Sequence, residues 1–265
     1  MVNVVIEKSV SFDCIADRYV NTRGIPIASI ITLYNNLQNV LKNMSEFRVL
    51  DVGVGTGRFS IPLSDYVRDV IGVDISSQML KILNEIDIEG KVLTCLSDAT
   101  NMPFGENSFD MFILASVLHL IPQYEEMFNE LERISKKNSY VVLLRVEYLG
   151  EEGELYEFFR HKAFYLSDDK IKDAGISFDD QISILKKRWR LVDKLCGKPW
   201  ISAYSPNDII KNFKNRVWSE TWSLSDNELE NSILKIKDHI NKKNILFTEK
   251  KEYESVVVAY LFSIK

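Results

Sequence analysis

The ten residues from Val49 to Arg58 constrain this chain more than any others. Val49-Leu50-Asp51-Val52 is a short apolar run carrying one acid, and Gly53-Val54-Gly55-Thr56-Gly57 interrupts it. Such a pattern specifies a buried strand, a tight turn and the start of a helix. Glycine takes positive φ there and, having no Cβ, lets the main chain come against a bound molecule. A turn of this kind at a strand's carboxyl end forms the ligand crevice of an open α/β sheet. The next apolar run, Asp69–Asp74, ends in an acid 21 residues after Gly53. At that separation a carboxylate holds the ribose hydroxyls of a nucleotide-like ligand.

The glycine spacing then discriminates between ligands. A dinucleotide fingerprint, G-x-G-x-x-G, needs its third glycine at position 58, where this chain has Arg58; Gly57 gives G-x-G-x-G instead. That pattern resembles motif I of the class I S-adenosylmethionine-dependent methyltransferases. Gly72-Val73-Asp74-Ile75-Ser76 resembles their second motif. Leu96-Ser97-Asp98-Ala99, followed by Met102-Pro103-Phe104 and Ser108-Phe109-Asp110, resembles a run found in the branch acting on small molecules. The resemblance covers roughly residues 45 to 147.

It implies S-adenosylmethionine as cofactor and S-adenosylhomocysteine as product. It further implies a Rossmann-like, doubly wound α/β fold with a seven-stranded, mostly parallel sheet and an antiparallel C-terminal hairpin. Asp74 takes the ribose diol in this reading, with Ile75 beside it, and Asp98 with the main chain of Ala99 takes the adenine. Gly53, Gly55 and Gly57 supply close approach, and Asp51 orients the glycine loop or the donor's amino group. Asp74 and Asp98 also suit plain helix capping, an ordinary use of Asp after a strand. Near the N-terminus, Phe12-Asp13 through Tyr19 to Arg23 resembles the family segment that folds over the donor. A tyrosine ring face favours a sulfonium and an arginine suits a carboxylate, which are the roles this gives Tyr19 and Arg23. The alternative is an amphipathic helix with Tyr19 in its packing stripe.

Ser116 and His119 follow the fourth expected strand, where the family places residues near the transferred methyl; Ser116 is expected among the donor contacts. His119 is the candidate catalytic residue, because an imidazole titrates near neutrality and can take a proton from an acceptor hydroxyl or amine. It equally suits packing beside the donor, since alignment of donor and acceptor alone supplies roughly 7–11 kcal/mol.

Period-two and period-3.6 patterns lay out the rest. Strands are expected at 48–53, 69–74, 91–96, 109–115 and 140–147, alternating with helices, one capped by Ser76 and another spanning 123–135. Residues 1–47 read as an N-terminal helical lid, 48–150 as the donor-binding core and 151–243 as an inserted helical cap. The last segment, 244–265, reads as strands completing the sheet, with Ile245–Thr248 and Ser255–Ile264 as the hairpin. Ser205-Pro206 and the capping box from Ser225 to Glu228 each open a helix. All four tryptophans fall between Trp189 and Trp222, in a cap suited to covering an apolar or aromatic acceptor or to packing its own core. The basic run Lys186–Arg190 reads as a solvated helix face.

Net charge of −5 argues against a nucleic-acid footprint, which needs a basic face. The fourth strand is followed by Ala115-Ser116-Val117 and lacks the Pro-Pro-aromatic signature of base-methylating enzymes. The three cysteines make neither a disulfide framework nor a metal-ligand spacing, and no apolar run is long enough to span a bilayer. A cytoplasmic enzyme with a small-molecule acceptor, no metal, no nucleic-acid partner and no membrane contact is expected; its oligomeric state is left open. The readings set against it are a donor-binding regulatory or scaffold protein without turnover, and a nucleic-acid methyltransferase.

Overall fold

The computed structural model describes residues 24–150, 176–177, 180–217, 221 and 224–264. Along the chain these form α1 (Ile27–Val40), β1 (Arg48–Val52), α2 (Ser60–Leu63), β2 (Asp69–Asp74), α3 (Ser77–Ile86), β3 (Val92–Leu96), β4 (Phe109–Ala115), α4 (Tyr124–Ile134) and β5 (Ser135–Leu149). Then follow α5 (Gln181–Arg188), β6 (Arg190–Cys196), β7 (Trp200–Tyr204), α6 (Pro206–Lys214), α7 (Asp226–Lys242) and β8 (Lys251–Ser263).

The sheet runs β3-β2-β1-β4-β5-β8-β6. β1 pairs parallel with β2 and β4, β2 with β3 and β4 with β5, whereas β6 and β8 are antiparallel. This is the expected doubly wound α/β fold, and its strand order reverses between β1 and β4, where such sheets open a crevice. β1 and β4 are near-continuous runs of buried residues because helices cover both of their faces. Ser76 caps α3 by accepting the Met79 N–H at 3.1 Å, and Met79, Leu80 and Leu83 turn inward. On α1, Ile30, Leu33, Tyr34 and Leu37 are buried, and Asn36 donates to the Cys196 carbonyl of β6 at 2.9 Å. The described part of the expected N-terminal lid is therefore a helix covering the sheet.

Two compact units divide the described chain, one comprising 24–145, 176–198 and 257–264 and the other 146–150 and 199–256. In the second, Ile209, Ile210, Phe213, Leu229, Ile233, Ile236 and Ile240 of α6 and α7 form a core with Tyr253. Both helices open with the expected capping serines: Ser205 accepts the Asp208 N–H and Ser225 the Glu228 N–H. β7 pairs antiparallel with Lys251–Ser255, an eighth strand beyond the seven expected.

The expected C-terminal hairpin has different partners. The last strand pairs with β6, inside the segment read as helical cap, and Ile245–Thr248 is not a strand. Ile245 and Phe247 pack against the α6–α7 core, so their apolar character serves a helical cluster and not a ladder. β6 escaped notice because Arg190, Asp193 and Lys194 break its apolar run and it lies at the edge of the sheet, with no residue fully buried. Nor is the basic run a uniformly solvated face. Arg188 reaches Glu125, Asn129 and Glu132 on α4 at 2.6–3.0 Å. Trp189 is buried edge-on against Phe128 with its indole N–H on Glu132. This fastens the α5–β6 segment to α4, so at least one of the four tryptophans is core.

Candidate functional site

The carboxyl ends of β1, β2, β3 and β4 surround a cleft of about 620 Å³, open mouth included. The lining brings together residues far apart in sequence: Gly53 and Gly55 after β1, Asp74 and Ile75 after β2, Asp98 and Ala99 after β3, and Ser116 after β4. Each strand's end supplies one group because a parallel sheet aligns those ends along one edge.

The glycine turn takes the form its sequence demands. Gly53, Gly55 and Gly57 have φ of 70°, 55° and 76°. A Cβ on Gly53 would meet Val117 Cγ2 at 2.5 Å, so this glycine brings the turn against the segment after β4. Gly57 does not line the cleft; a Cβ there would run into Ile61 and Leu83, and its role is close packing of the turn on α2 and α3.

Asp74 is the hinge of the site. One carboxylate oxygen accepts the Gly55 N–H at 2.8 Å and the other accepts the Ser76 N–H at 2.8 Å. It thereby joins the turns after β1 and β2. Asp98 accepts from the amide and hydroxyl of Thr100, both at 2.9 Å, which orders the loop bearing Ala99. That loop is braced from α4: Glu130 accepts the Met102 N–H, and Arg133 donates to the carbonyls of Met102 and Phe104. The Arg133 guanidinium holds the Glu130 carboxyl below its usual range.

Asp51 lies beneath the cleft and is only 1% exposed. Its Oδ2 accepts the Ser60 hydroxyl at 2.6 Å and its Oδ1 has no hydrogen-bond partner. Burial pushes its carboxyl up to about 7; the Ser60 bond opposes this and the nearby Asp74 charge adds to it. The Tyr34 hydroxyl, donating to the Phe59 carbonyl at 2.9 Å, is likewise held well above its ordinary value by burial and by Asp51. Asp51 therefore ties β1 to the start of α2 through Ser60.

His119 sits on the 3-10 turn Leu118–Leu120, buried, and is not among the cleft's lining residues. Tyr19 and Arg23 fall outside the described residues. Sequence reasoning missed the apolar walls, Val73, Met79, Val117, Leu120 and Ile121, together with Ser97 and Ala115. Their only signal is position, since each stands beside a residue that was identified or one turn into the following helix. Ser116 carries a positive φ of 54°, unusual for a residue with a Cβ.

Comparison with known proteins agrees with this arrangement. Residues 50–143 match a family model described as a methyltransferase domain. The uncharacterised protein MJ1123 of Methanocaldococcus jannaschii is 30% identical over 155 residues, 58% of this chain and 69% of its own length. A demethylmenaquinone methyltransferase of Renibacterium salmoninarum is 35% identical over 98 residues, 36% of this chain and 40% of its own. The uncharacterised methyltransferase YcgJ of Bacillus subtilis is 26% identical over 136 residues, 50% of this chain and 53% of its own. The sequence match thus spans about half the length of several of these relatives. The crystal structure of YcgJ superposes with a TM-score of 0.57 at 19% identity, covering 88% of this chain and 99% of that one, which establishes a shared fold. With the glycine turn, the acid ending β2 and the matching domain in one cleft, this chain belongs to the class I S-adenosylmethionine-dependent methyltransferases.

Proposed function

We propose that the chain transfers the methyl group of S-adenosylmethionine to an apolar or aromatic small molecule. The observation that carries this reading is the convergence on one cleft of Gly53 and Gly55, bare of Cβ at positive φ, with the Asp74 carboxylate and the Asp98–Ala99 turn. These groups fit the donor's chemistry. A carboxylate such as that of Asp74 accepts hydroxyls on either oxygen, which suits the ribose diol. Ile75 and Met79 offer apolar surface beside it, and Asp98 with the Ala99 main chain offers acceptor and donor to the adenine. Gly57 and Asp51 hold the turn from behind. Tyr19 and Arg23 stay proposed contacts to the sulfonium and carboxylate, and Ser116 to the methyl-bearing end.

When bound, the donor supplies an electrophilic methyl on a good leaving group, so the chain's main task is alignment. Among the described residues lining the cleft, the titratable groups are Asp74 and Asp98. His119, buried on the turn beside that lining, would have to turn into the cleft to act as a base. Val117, Leu120 and Ile121 give the wall an apolar character, which suits an apolar or aromatic acceptor. The likeness to a demethylmenaquinone methyltransferase supports a small-molecule acceptor over a nucleic acid, as does the net charge of −5.

The test is calorimetric titration with S-adenosylhomocysteine, with NADH as control, on the parent and on Asp74→Ala. Micromolar binding of the former alone, weakened severely by Asp74→Ala in a protein that still folds, is the expected result. Binding of neither ligand, or undiminished affinity in the variant, would remove the donor site from this cleft. Turnover, read as S-adenosylhomocysteine formed with a panel of quinols, phenols and amines, separates an enzyme from a protein that only binds the donor.

A further inference from the structure

We propose that Glu130 and Arg133 of α4 are positioning residues for the turn after β3, and that through this turn they set the site's preference for adenine over other purines. The inference deepens the function proposed above and rests on its assignment of Asp98 and Ala99 to the adenine.

A doubly wound sheet usually crosses from one parallel strand to the next through a helix, whose main-chain groups satisfy one another. Residues 97–108, between β3 and β4, carry no helix, so their groups find partners elsewhere. The near end of the connection supplies its own. The Asn101 N–H donates to the Asp98 carbonyl at 3.1 Å, and the Ser97 hydroxyl donates to the Asn101 carbonyl at 3.2 Å. The far end is held from α4. Met102 is buried; its N–H goes to Glu130 Oε2 at 3.0 Å and its carbonyl accepts Arg133 Nη2 at 3.2 Å. Arg133 Nη1 donates to the Phe104 carbonyl at 2.8 Å. The same guanidinium binds both Glu130 oxygens at 2.7 Å, which locks the two side chains into one planar fork.

The sequence of α4 divides its faces for this purpose. Met127, Phe128, Leu131 and Ile134 turn into the core, and Glu125, Asn129 and Glu132 hold Arg188. Glu130 and Arg133, three residues apart, share the side that meets the loop. A surface ion pair contributes little by itself. What this pair fixes is the place of Met102, four residues on from Asp98.

Asp98 lines the cleft, and both bonds it accepts from Thr100 end on Oδ1. That leaves Oδ2 to a base. A carboxylate oxygen accepts and does not donate, so it favours the amino group of adenine over the carbonyl that replaces it in hypoxanthine. Such discrimination lasts only while the acceptor is held to within about 0.5 Å. The fork on α4 supplies that hold to a turn without a ladder of its own.

The experiment is calorimetric titration with S-adenosylhomocysteine and with S-inosylhomocysteine, thermal unfolding checking each fold. The parent is expected to prefer the adenine ligand by about tenfold or more. Arg133→Ala should weaken that ligand about tenfold and the inosine ligand by less than about threefold, so that the preference collapses. Arg133→Lys keeps the charge without the fork and should restore only part. Glu130→Gln, which keeps an acceptor for the Met102 N–H, gives a milder second reading and a smaller loss of preference. Arg188→Ala, which also loosens contacts of α4 but none to the loop, should keep the parent's preference. Equal weakening of both ligands by Arg133→Ala, an undiminished preference in it, or a collapse in Arg188→Ala as well overturns the proposal, as does a parent that binds both ligands alike. If Asp98→Ala abolishes the preference while Arg133→Ala keeps it, the positioning role falls and the donor site stands. A parent that binds neither ligand removes the donor site and this proposal together.

Discussion

Replacing Asp51 by asparagine tests whether the acid under the glycine turn is held as a neutral carboxyl. Its carboxyl is raised by burial to about 7, against an ordinary value of 3.8. The sign follows from proton counting. Between those two values the folded state binds a proton at Asp51 that the unfolded state has released, so stability falls as pH rises through this window and levels off above about 7. Integrated, the group costs about 4 kcal/mol at high pH, of which about 3 kcal/mol accrues between pH 5 and pH 8. Asparagine has no such proton, but it places an amide where Oδ1 finds no partner, costing about 1–3 kcal/mol at every pH. The pH-independent cost cancels in the difference of differences. Urea unfolding of both proteins at pH 5 and pH 8 should therefore show Asp51→Asn improving relative to the parent by about 3 kcal/mol at the higher pH. Parallel pH dependences in the two proteins would mean that Asp51 is ionised in the fold, and would refute the reasoning.

Other perturbations read other parts of the structure. Gly57→Ala combines a left-handed backbone with a methyl 3.1 Å from Ile61 Cγ1, and urea unfolding should show a loss of about 2–5 kcal/mol. Arg188→Ala severs the bonds to Glu125, Asn129 and Glu132 and should lower stability by about 2 kcal/mol at neutral pH, with Arg188→Lys restoring only part. Because Arg188 holds the Glu132 carboxyl below its usual range, the stability it contributes is present above that range and lost as pH falls, so variant and parent should converge in acid. Ser225→Ala removes the cap that accepts the Glu228 N–H, and thermal unfolding should report a loss of about 1 kcal/mol. His119→Ala should leave S-adenosylhomocysteine affinity within about threefold of the parent by calorimetry, as expected for a residue outside the cleft lining.

The parts legible in the sequence are those where one local pattern has one structural solution. The glycine turn, Asp74 and the strands from β1 to β4 were read to within a residue or so, because β1, β2 and β4 are largely buried parallel strands with near-continuous apolar runs, β3 is a short apolar run despite its exposed edge, and a G-x-G-x-G turn admits few conformations. β6 was illegible for the opposite reason. An edge strand exposes alternate residues, here Arg190, Val192, Lys194 and Cys196, so no apolar face marked it; the run Lys186–Arg190 read as a solvated helix face, and the strand's identity lay in its partner, β8. Ile245 and Phe247 misled in the other direction, since two apolar residues at strand spacing carry no information about whether a strand or a helical core receives them. Within the site, Asp51 and Gly57 carried a motif's letters yet stand behind the cleft, and the walls Val117, Leu120 and Ile121 have no chemical signature apart from where the sheet ends.

The double engagement of Asp74 carries a consequence for how the site answers to a ligand. A carboxylate already committed to the Gly55 and Ser76 amides is a joint, and under the proposed function a ribose hydroxyl arriving there joins an existing network. The turn is therefore set before anything enters, and little conformational entropy is spent on ordering it. Affinity and the firmness of the turn become two readings of one carboxylate. Hydrogen exchange at the Gly55 amide should slow when the ribose diol is in place, so a single backbone proton becomes the meter for occupancy of the whole crevice.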